Sequence, residues 1–311
     1  MSRPTRPALP TRDGVSASCV ALPAGPWPTI LDFLCERIPA VQRDDWASRM
    51  AAGEVVDAAG HPLDVAAPYR PQSRLYYWRK LAFEHLIPFE ERIVHQDAHL
   101  VIADKPHFLP VTPKGRYVQQ TLLVRLKRRL GIDTLVPAHR LDRETAGLVM
   151  FTVQPATRHA YQSLFRDRRI HKVYEAVAGH RPDLTFPLVR HSRLIESERF
   201  MAMQETEGEP NAETRIERVA VHGPRALYRL HPVTGQKHQL RAHMNALGLP
   251  IEGDRIYPVL QPDLSEGETP DYRDPLQLLA RELSFVDPVT GEARRFESTL
   301  RLNWPAATSG R

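Results

Sequence analysis

The chain is poor in the residues that staple or metallate a fold. Of its 311 residues only two are cysteine, Cys19 and Cys35. That is too few for a disulfide framework, a four-cysteine zinc site or an iron–sulfur cluster. It has no run of about 18 apolar residues, the length that a membrane-spanning helix needs. It also has no H-E-x-x-H and no G-x-G-x-x-G segment, so neither a zinc-protease nor a dinucleotide-binding reading has a motif behind it. Near the amino terminus Arg3 and Arg6 are basic, but Pro23, Pro26 and Pro28 interrupt the only apolar stretch there. That argues against a secretion signal, and the expected location is the cytoplasm.

The composition is that of a folded chain. Hydrophobic residues make up 42% and charged residues 25%, and the length corresponds to about two domains. Lys and Arg outnumber Asp and Glu by 42 to 37, a formal charge of +5, and the sequence pI is near 9.3. That surplus tolerates a polyanionic partner. Residues 1–28 hold six of the 28 prolines and read as an irregular arm. From Thr29, a possible helix cap, Ile30, Phe33 and Leu34 share a helical face. A second short helix is expected over 45–52, followed by the hairpin-like GEVVDAAG of 53–60. A small amino-terminal α/β domain is therefore expected over 29–88, and a larger domain over 89–305.

In the larger part HLVIADKP (99–106), GLVMFTV (147–153) and KVYEAVAG (172–179) read as strands. A helix is expected over 119–130, with Leu122, Leu123, Leu126 and Leu130 on one side. Another is expected over 236–247, with Leu240, His243 or Met244, and Leu247 inward. Helices interspersed with several strands favour α+β. Charge is uneven: 113–172 carries 13 basic residues and four acidic ones, a balance of +9, while 261–275 has five acids against Arg273. The clusters RLKRR (125–129) and RDRRIHK (166–172), with Arg128, Arg129, Arg168 and Arg169, are either phosphate-binding or merely solvated faces.

Two segments could carry chemistry. In AHRLDRETAGLVMF (138–151), Asp142 lies between Arg140 and Arg143, just before an apolar strand. Charge chemistry alone leaves it as a structural ion pair or as a nucleophile at a sheet rim. In HPVTGQKHQLRAHM (231–244), Thr234 and Gly235 resemble a turn opening a helix. Arg241 on that helix could hold a carboxylate bidentately. His238 and His243 are five apart, a poor zinc spacing, and read as helix-surface or packing residues.

The run HRLDRETAGL closely resembles motif II of the RluA-type pseudouridine synthases, with Ala146 where serine is usual. KVYEAVAG is similar to the family's tyrosine motif, and HPVTGQKHQLRAHM to its TGR-x-HQIR-x-H block. VIADKPHFLPVTP (101–113) and EGDRIYP (252–258) resemble two further motifs. The resemblance spans about residues 90–302. It implies a mixed, mainly antiparallel sheet with flanking helices and a central cleft. It also implies that Asp142 is the catalytic aspartate, that Tyr174 lies against the target base and helps remove the C5 proton, and that Arg241 pairs with Asp142. Leu240 would pack beside the site, and His139, Arg140, Leu141, Thr145 and Lys237 would help bind the substrate. His107 and Gln236 depart from the pattern; Lys237 could supply the charge that Gln236 lacks. VQRDDWASRMAAGEVVDAAG (41–60) faintly resembles an S4-like RNA-binding fold, with Arg43 and Arg49 as candidate RNA contacts and a structural add-on as the alternative.

The implied reaction breaks N1–C1′, turns the uracil and rejoins it through C5, with the nucleotide drawn out of its stack. Asp142 would attack C1′ or abstract the 2′ proton. No hydride, phosphoryl or redox step occurs, so no metal or organic cofactor is expected. The expected partner is structured RNA, ribosomal ahead of transfer, with no membrane and no obligatory protein partner, the chain being a monomer. The rivals are a non-catalytic RNA-binding protein and a glycoside hydrolase. The second would normally need two flanking acids, and Glu144 is the only nearby one.

Overall fold

A computed structural model describes residues 9–198, 202–262 and 268–305. The first eight residues of the expected arm and the acidic residues within 263–267 lie outside that description. Two compact units are present. The first is built within 1–84, 115–119 and 124–133, the second within 85–114, 120–123 and 134–311. Among the described residues no helix is long and apolar enough to cross a membrane.

The first unit contains β1 (Ser18–Ala21), α1 (Ile30–Arg37), α2 (Arg43–Ala51), β2 (Val55–Val56) and β3 (Arg74–Tyr77). Thr29 does cap α1: its hydroxyl accepts from the Asp32 amide, and the Asp32 carboxylate accepts from the Thr29 amide. This reciprocal pair satisfies two amides that the helix cannot. Ile30, Phe33 and Leu34 then pack with Trp46 and Met50 of α2, Val55 of β2 and Leu75 of β3 in one apolar cluster. The reading of 1–28 as an irregular arm is corrected for 18–21. This β1 pairs antiparallel with β3, Ser18 opposite Tyr77, and the sheet order is β1-β3-β2. Four residues between prolines carry too little alternation to announce a strand whose partner lies far along the chain.

The second unit contains β4 (Arg92–Gln96), β5 (Leu100–Lys105), β6 (Val136–Pro137), β7 (Ala146–Thr152), α4 (Arg158–Arg166), β8 (Ile170–Gly179), β9 (Leu188–Glu196), β10 (Met203–Thr206), β11 (Ala212–His222), β12 (Arg225–Pro232), α5 (Gln239–Ala246), β13 (Leu278–Val286) and β14 (Ala293–Glu297). Between β5 and β6, α3 (Leu122–Leu130) runs from residues of the second unit into residues of the first. It begins later than the expected 119, and α5 begins later than the expected 236.

The large sheet runs β10-β9-β11-β12-β8-β13-β7-β5-β4, with β14 on β13 and β6 on β7. Its pairs are antiparallel except β13 with β7, where Leu279 faces Ala146. That parallel pair brings backbones unusually close at Gly147. Its φ is +108°, and a Cβ there would lie 2.3 Å from the Ala280 carbonyl oxygen. Only glycine fits. Every residue of β5 and β7 is buried, which is why β7 and the first four residues of β5 read as continuous apolar runs rather than alternating ones. One core cluster joins Ala176 and Ala178 of β8, Tyr228 and Leu230 of β12, and Leu240 and Met244 of α5. Another joins β5 and β7 to Tyr161 and Leu164 of α4. The α+β class expected from the sequence holds.

Candidate functional site

Five pieces of the second unit line a cleft of about 450 Å³: the loop from Ala138 to Thr145, the end of α4 and the turn after it at Phe165, Arg166 and Arg168, strand β8 at Lys172 and Tyr174, the turn from Pro232 into α5, and β13 at Leu278. Strand alternation puts Tyr174 on the same face as Ala176 and Ala178, and all three share one cluster. Those alanines leave the ring room to stand in the cleft. Asp142 comes from the loop that enters β7.

Two side chains, one buried and one half-buried, tie that loop. The Lys105 ammonium, completely buried at the end of β5, donates to the carbonyls of Pro106 and Arg143, both at 3.0 Å. His107 Nδ1 donates to the Glu144 carbonyl at 2.7 Å. Burial pushes the Lys105 ammonium down to about 7, against the opposing pull of Glu144 and Asp142. The side chain that departs from the family pattern at 107 therefore has a definite task. It fastens the residue two places after Asp142.

The Asp142 carboxylate meets its partners through one oxygen. Arg241 Nη1 lies 3.5 Å from Oδ2 and His238 Nε2 lies 3.8 Å from the same atom. Arg241 itself, only 2% exposed, gives its two short bonds elsewhere. Nε and Nη2 each donate at 2.7 Å to Asp254, whose side chain is fully buried. Asp254 Oδ1 also accepts from the amides of Ile256 and Tyr257. The bidentate acceptor is thus Asp254, and the expected pairing of Arg241 with Asp142 is the looser, single contact of the third nitrogen. Burial opposes the charge on Arg241, but the hydrogen bonds and charge of Asp254, with Asp142 adding, raise its pKa above the ordinary value. Burial, and next the Asp142 charge, likewise raise the Tyr174 hydroxyl. It stays protonated at neutral pH.

His238 is corrected from a helix-surface or packing residue. It occupies the N-cap of α5 in the left-handed region, φ +51°, is 8% exposed and lines the cleft. Burial lowers its pKa in spite of Asp142. His243 is the packing residue: its two ring nitrogens meet Ser192 and Thr214 at 3.0 Å. The α5 start shifts because the Gln239 side chain folds back to accept from the Gln236 amide and the Thr234 hydroxyl.

Ten of the thirteen residues singled out from the sequence line this cleft: Asp142, Tyr174, Arg241, His139, Arg140, Leu141, Thr145, Leu240, Lys237 and Arg168. His139 does so as a wall. Its Nε2 accepts from the Met150 amide, its Nδ1 faces the Arg140 carbonyl, and its ring stacks on Phe165 at 4.4 Å. Burial pushes it down to about 4, so it is neutral. Lys237 approaches Glu196 at 3.3 Å. Arg169 lies away from the cleft, in a shallow depression with His171 and Arg294. Arg128 and Arg129 are exposed on α3, within the first unit, and line neither hollow. Sequence reasoning missed His238, Asp254 and Lys105, and named Lys172 only as the end of the basic RDRRIHK cluster. Asp254 lies in the EGDRIYP segment, but nothing in that segment names its partner. Among the described residues no group of three or more His, Cys, Asp or Glu side chains is placed to hold a metal ion.

Residues 99–246 match the family model described as RNA pseudouridylate synthase. An uncharacterized RNA pseudouridine synthase of Synechocystis is 29% identical over 73% of this chain and 79% of its own length. The dual-specificity RNA pseudouridine synthase RluA of Haemophilus influenzae is 30% identical over 66% of this chain and 91% of its own. Against the mouse pseudouridylate synthase RPUSD2, 31% identical, the chain spans only 33% of that protein's length. The solved structure of human RNA pseudouridylate synthase domain containing 4 superposes with a TM-score of 0.53 at 30% identity. It covers 67% of this chain and 88% of its own.

Proposed function

The chain belongs to the RNA pseudouridine synthase family, and from that premise we propose that it is an RluA-type enzyme whose chemistry runs through Asp142, Tyr174 and Arg241. The family activity is isomerisation of uridine in structured RNA. One observation carries the assignment of residues: among the described residues that line the cleft, Asp142 is the single carboxylate. That favours a lone carboxylate acting at the sugar over the two flanking acids that glycoside hydrolysis uses.

With Oδ2 turned toward Arg241 and His238, Oδ1 is the oxygen left for the ribose. In the nucleophilic route Oδ1 bonds C1′ as N1–C1′ breaks; C5 then displaces the carboxylate and its proton passes to a solvent water, while N1 takes a proton from solvent. In the glycal route Oδ1 takes the 2′ proton and returns it. Either way Asp142 ends as it began. Tyr174 offers a flat face to the base, and its hydroxyl enters the C5 step as a protonated group. Arg140 and Lys237 would hold the flipped nucleotide at the rim.

Ribosomal RNA is the first candidate substrate and transfer RNA the second, with residues 29–88 as an S4-like RNA-binding module. In that module Arg43 is engaged by Asp32 and Arg49 by the Lys80 carbonyl. Exposed Arg128 and Arg129 are further candidates to touch RNA from the first unit. Mapping pseudouridines in total RNA with and without the gene identifies the substrate. Tritium release from C5-labelled uridine RNA tests the site. Asp142→Asn should bind RNA yet release only background tritium, while Tyr174→Phe should still cleave the glycosidic bond and stall at C5. Turnover by folded Asp142→Asn near the wild-type rate would overturn the assignment.

A further inference from the structure

Half of the cations that line the cleft are already neutralised. Arg241 is held by Asp254, Lys237 faces Glu196, and Arg166 bonds Asp167 at 2.7 Å. Arg140, Lys172 and Arg168 differ: none has a carboxylate within ion-pair distance among the described residues, and of these Lys172 and Arg168 act on each other through their charges. Lys172 stands on β8 two residues before Tyr174, hence on the same face. Its ammonium reaches across to the Thr234 carbonyl at 3.1 Å, which uses one of three donors. Burial, and next the charge of Arg168, push it down to about 8. An ammonium partly stripped of water, beside a second cation and without a counter-ion, is an arrangement that an incoming anion relieves.

Arg168 sits in the turn between α4 and β8 with φ +56°. A non-glycine residue in that region is strained. Its neighbours on either side, Arg166 and Arg169, both turn toward Asp167, at 2.7 and 3.7 Å. Arg168 instead lines the cleft, and borders the shallow depression that holds Arg169 as well. That φ belongs to the C-terminal stop of α4, where the Arg169 amide donates to the Leu164 carbonyl at 2.8 Å, and it leaves the Arg168 guanidinium without the local carboxylate and close enough to Lys172 for the two charges to act on each other.

We propose that Lys172 and Arg168 form an anion subsite at the mouth of the cleft that takes one phosphodiester adjoining the flipped uridine. This rests on the reading of the cleft as the uridine site. Once Asp142 has the ribose, the phosphates on that sugar emerge toward the rim, where these two cations wait. The ligand is the RNA backbone rather than a base, because both donors are charged and neither is positioned by a paired acceptor that would read a base edge.

The test uses full-length protein and synthetic RNA hairpins with uridines in the loop. Lys172→Met should raise KM about tenfold, with kcat within about threefold, as expected for one lost charge-assisted bond. It should also reduce the slope of log affinity against log salt by about 0.7. Lys172→Arg should restore the slope. Arg168→Gln should act in the same direction. Neutral methylphosphonate placed at single loop positions should weaken wild-type binding at one position and make no further difference there to Lys172→Met.

A melting temperature for Lys172→Met at or above wild type would exclude misfolding as the cause. Unchanged KM and slope in both Lys172→Met and Arg168→Gln would overturn the proposal. So would a methylphosphonate effect that persists undiminished in Lys172→Met. Binding and turnover are read separately. A wild-type protein that binds RNA through Lys172 without releasing C5 tritium would sink the catalytic reading and leave the subsite standing.

Discussion

Asp254→Asn is the sharpest perturbation of the Asp254–Arg241–Asp142 chain. The amide keeps the shape and can still accept from the Ile256 and Tyr257 amides. It removes the charge and points an N–H at a guanidinium that is only 2% exposed. Breaking a buried pair by removing one partner costs about 3–5 kcal/mol. For a domain of this size, at about 2–4 °C per kcal/mol, the melting temperature should fall by roughly 6–20 °C. Released from Asp254, Arg241 has only Asp142 to satisfy it, now 3.5 Å away. Closing that gap shifts the carboxylate away from the ribose position. Misplacement on the order of 1 Å costs up to about a hundredfold in rate, so kcat should fall strongly while KM for RNA changes little.

Calorimetry and single-turnover tritium release measure the two effects. The double variant Arg241→Met/Asp254→Leu, which replaces the buried pair by apolar residues, should recover most of the stability and none of the turnover. If Asp254→Asn melts within about 2 °C of wild type and turns over at its rate, the reasoning fails.

Lys105 makes stability depend on pH. Its folded pKa of about 7 lies below the unfolded value of about 10.4. Between these values the unfolded chain holds a proton that the folded chain does not, so stability should rise with pH across that window, by at most about 1.4 kcal/mol per unit. Below pH 7 the full cost is present. Urea unfolding at successive pH values should show this rise in wild type relative to Lys105→Met, and parallel curves would contradict it. For the first unit, reversing Arg128 and Arg129 to Glu should flatten the salt dependence of RNA binding by about 0.7–0.9 per lost phosphate contact. Filter binding over a salt series would show both arginines to be merely solvated if the slope stays put.

Much of the fold was legible because its signals are local. The Thr29 cap needs only Asp32 three residues on, and β7 and residues 100–103 of β5 declare themselves by apolar runs. The strand carrying Tyr174 also shows in its own residues, since Ala176 and Ala178 recur with the period of a pleated strand. β1 was not legible, because its stabilisation comes from β3, more than fifty residues later. The late start of α5 was hidden for a related reason. Gln239 folds its side chain back onto the turn, a choice that the burial of Thr234 and the neighbouring β11 make worthwhile.

Of the site, the sequence by itself determined the residue types and their order: a lone aspartate ahead of an apolar strand, a tyrosine over small neighbours, an arginine on a short helix. Tertiary structure decided who meets whom. Arg241 takes Asp254 bidentately and leaves Asp142 a single looser contact. His238 joins the cleft, Lys105 and His107 fasten the Asp142 loop, and Arg168 enters the cleft while Arg169 does not. Spacing along a helix or strand tells which side chains share a face. The choice among several carboxylates for one guanidinium depends instead on ångström-scale distances and on the loss of water, and both are created only when separate elements pack.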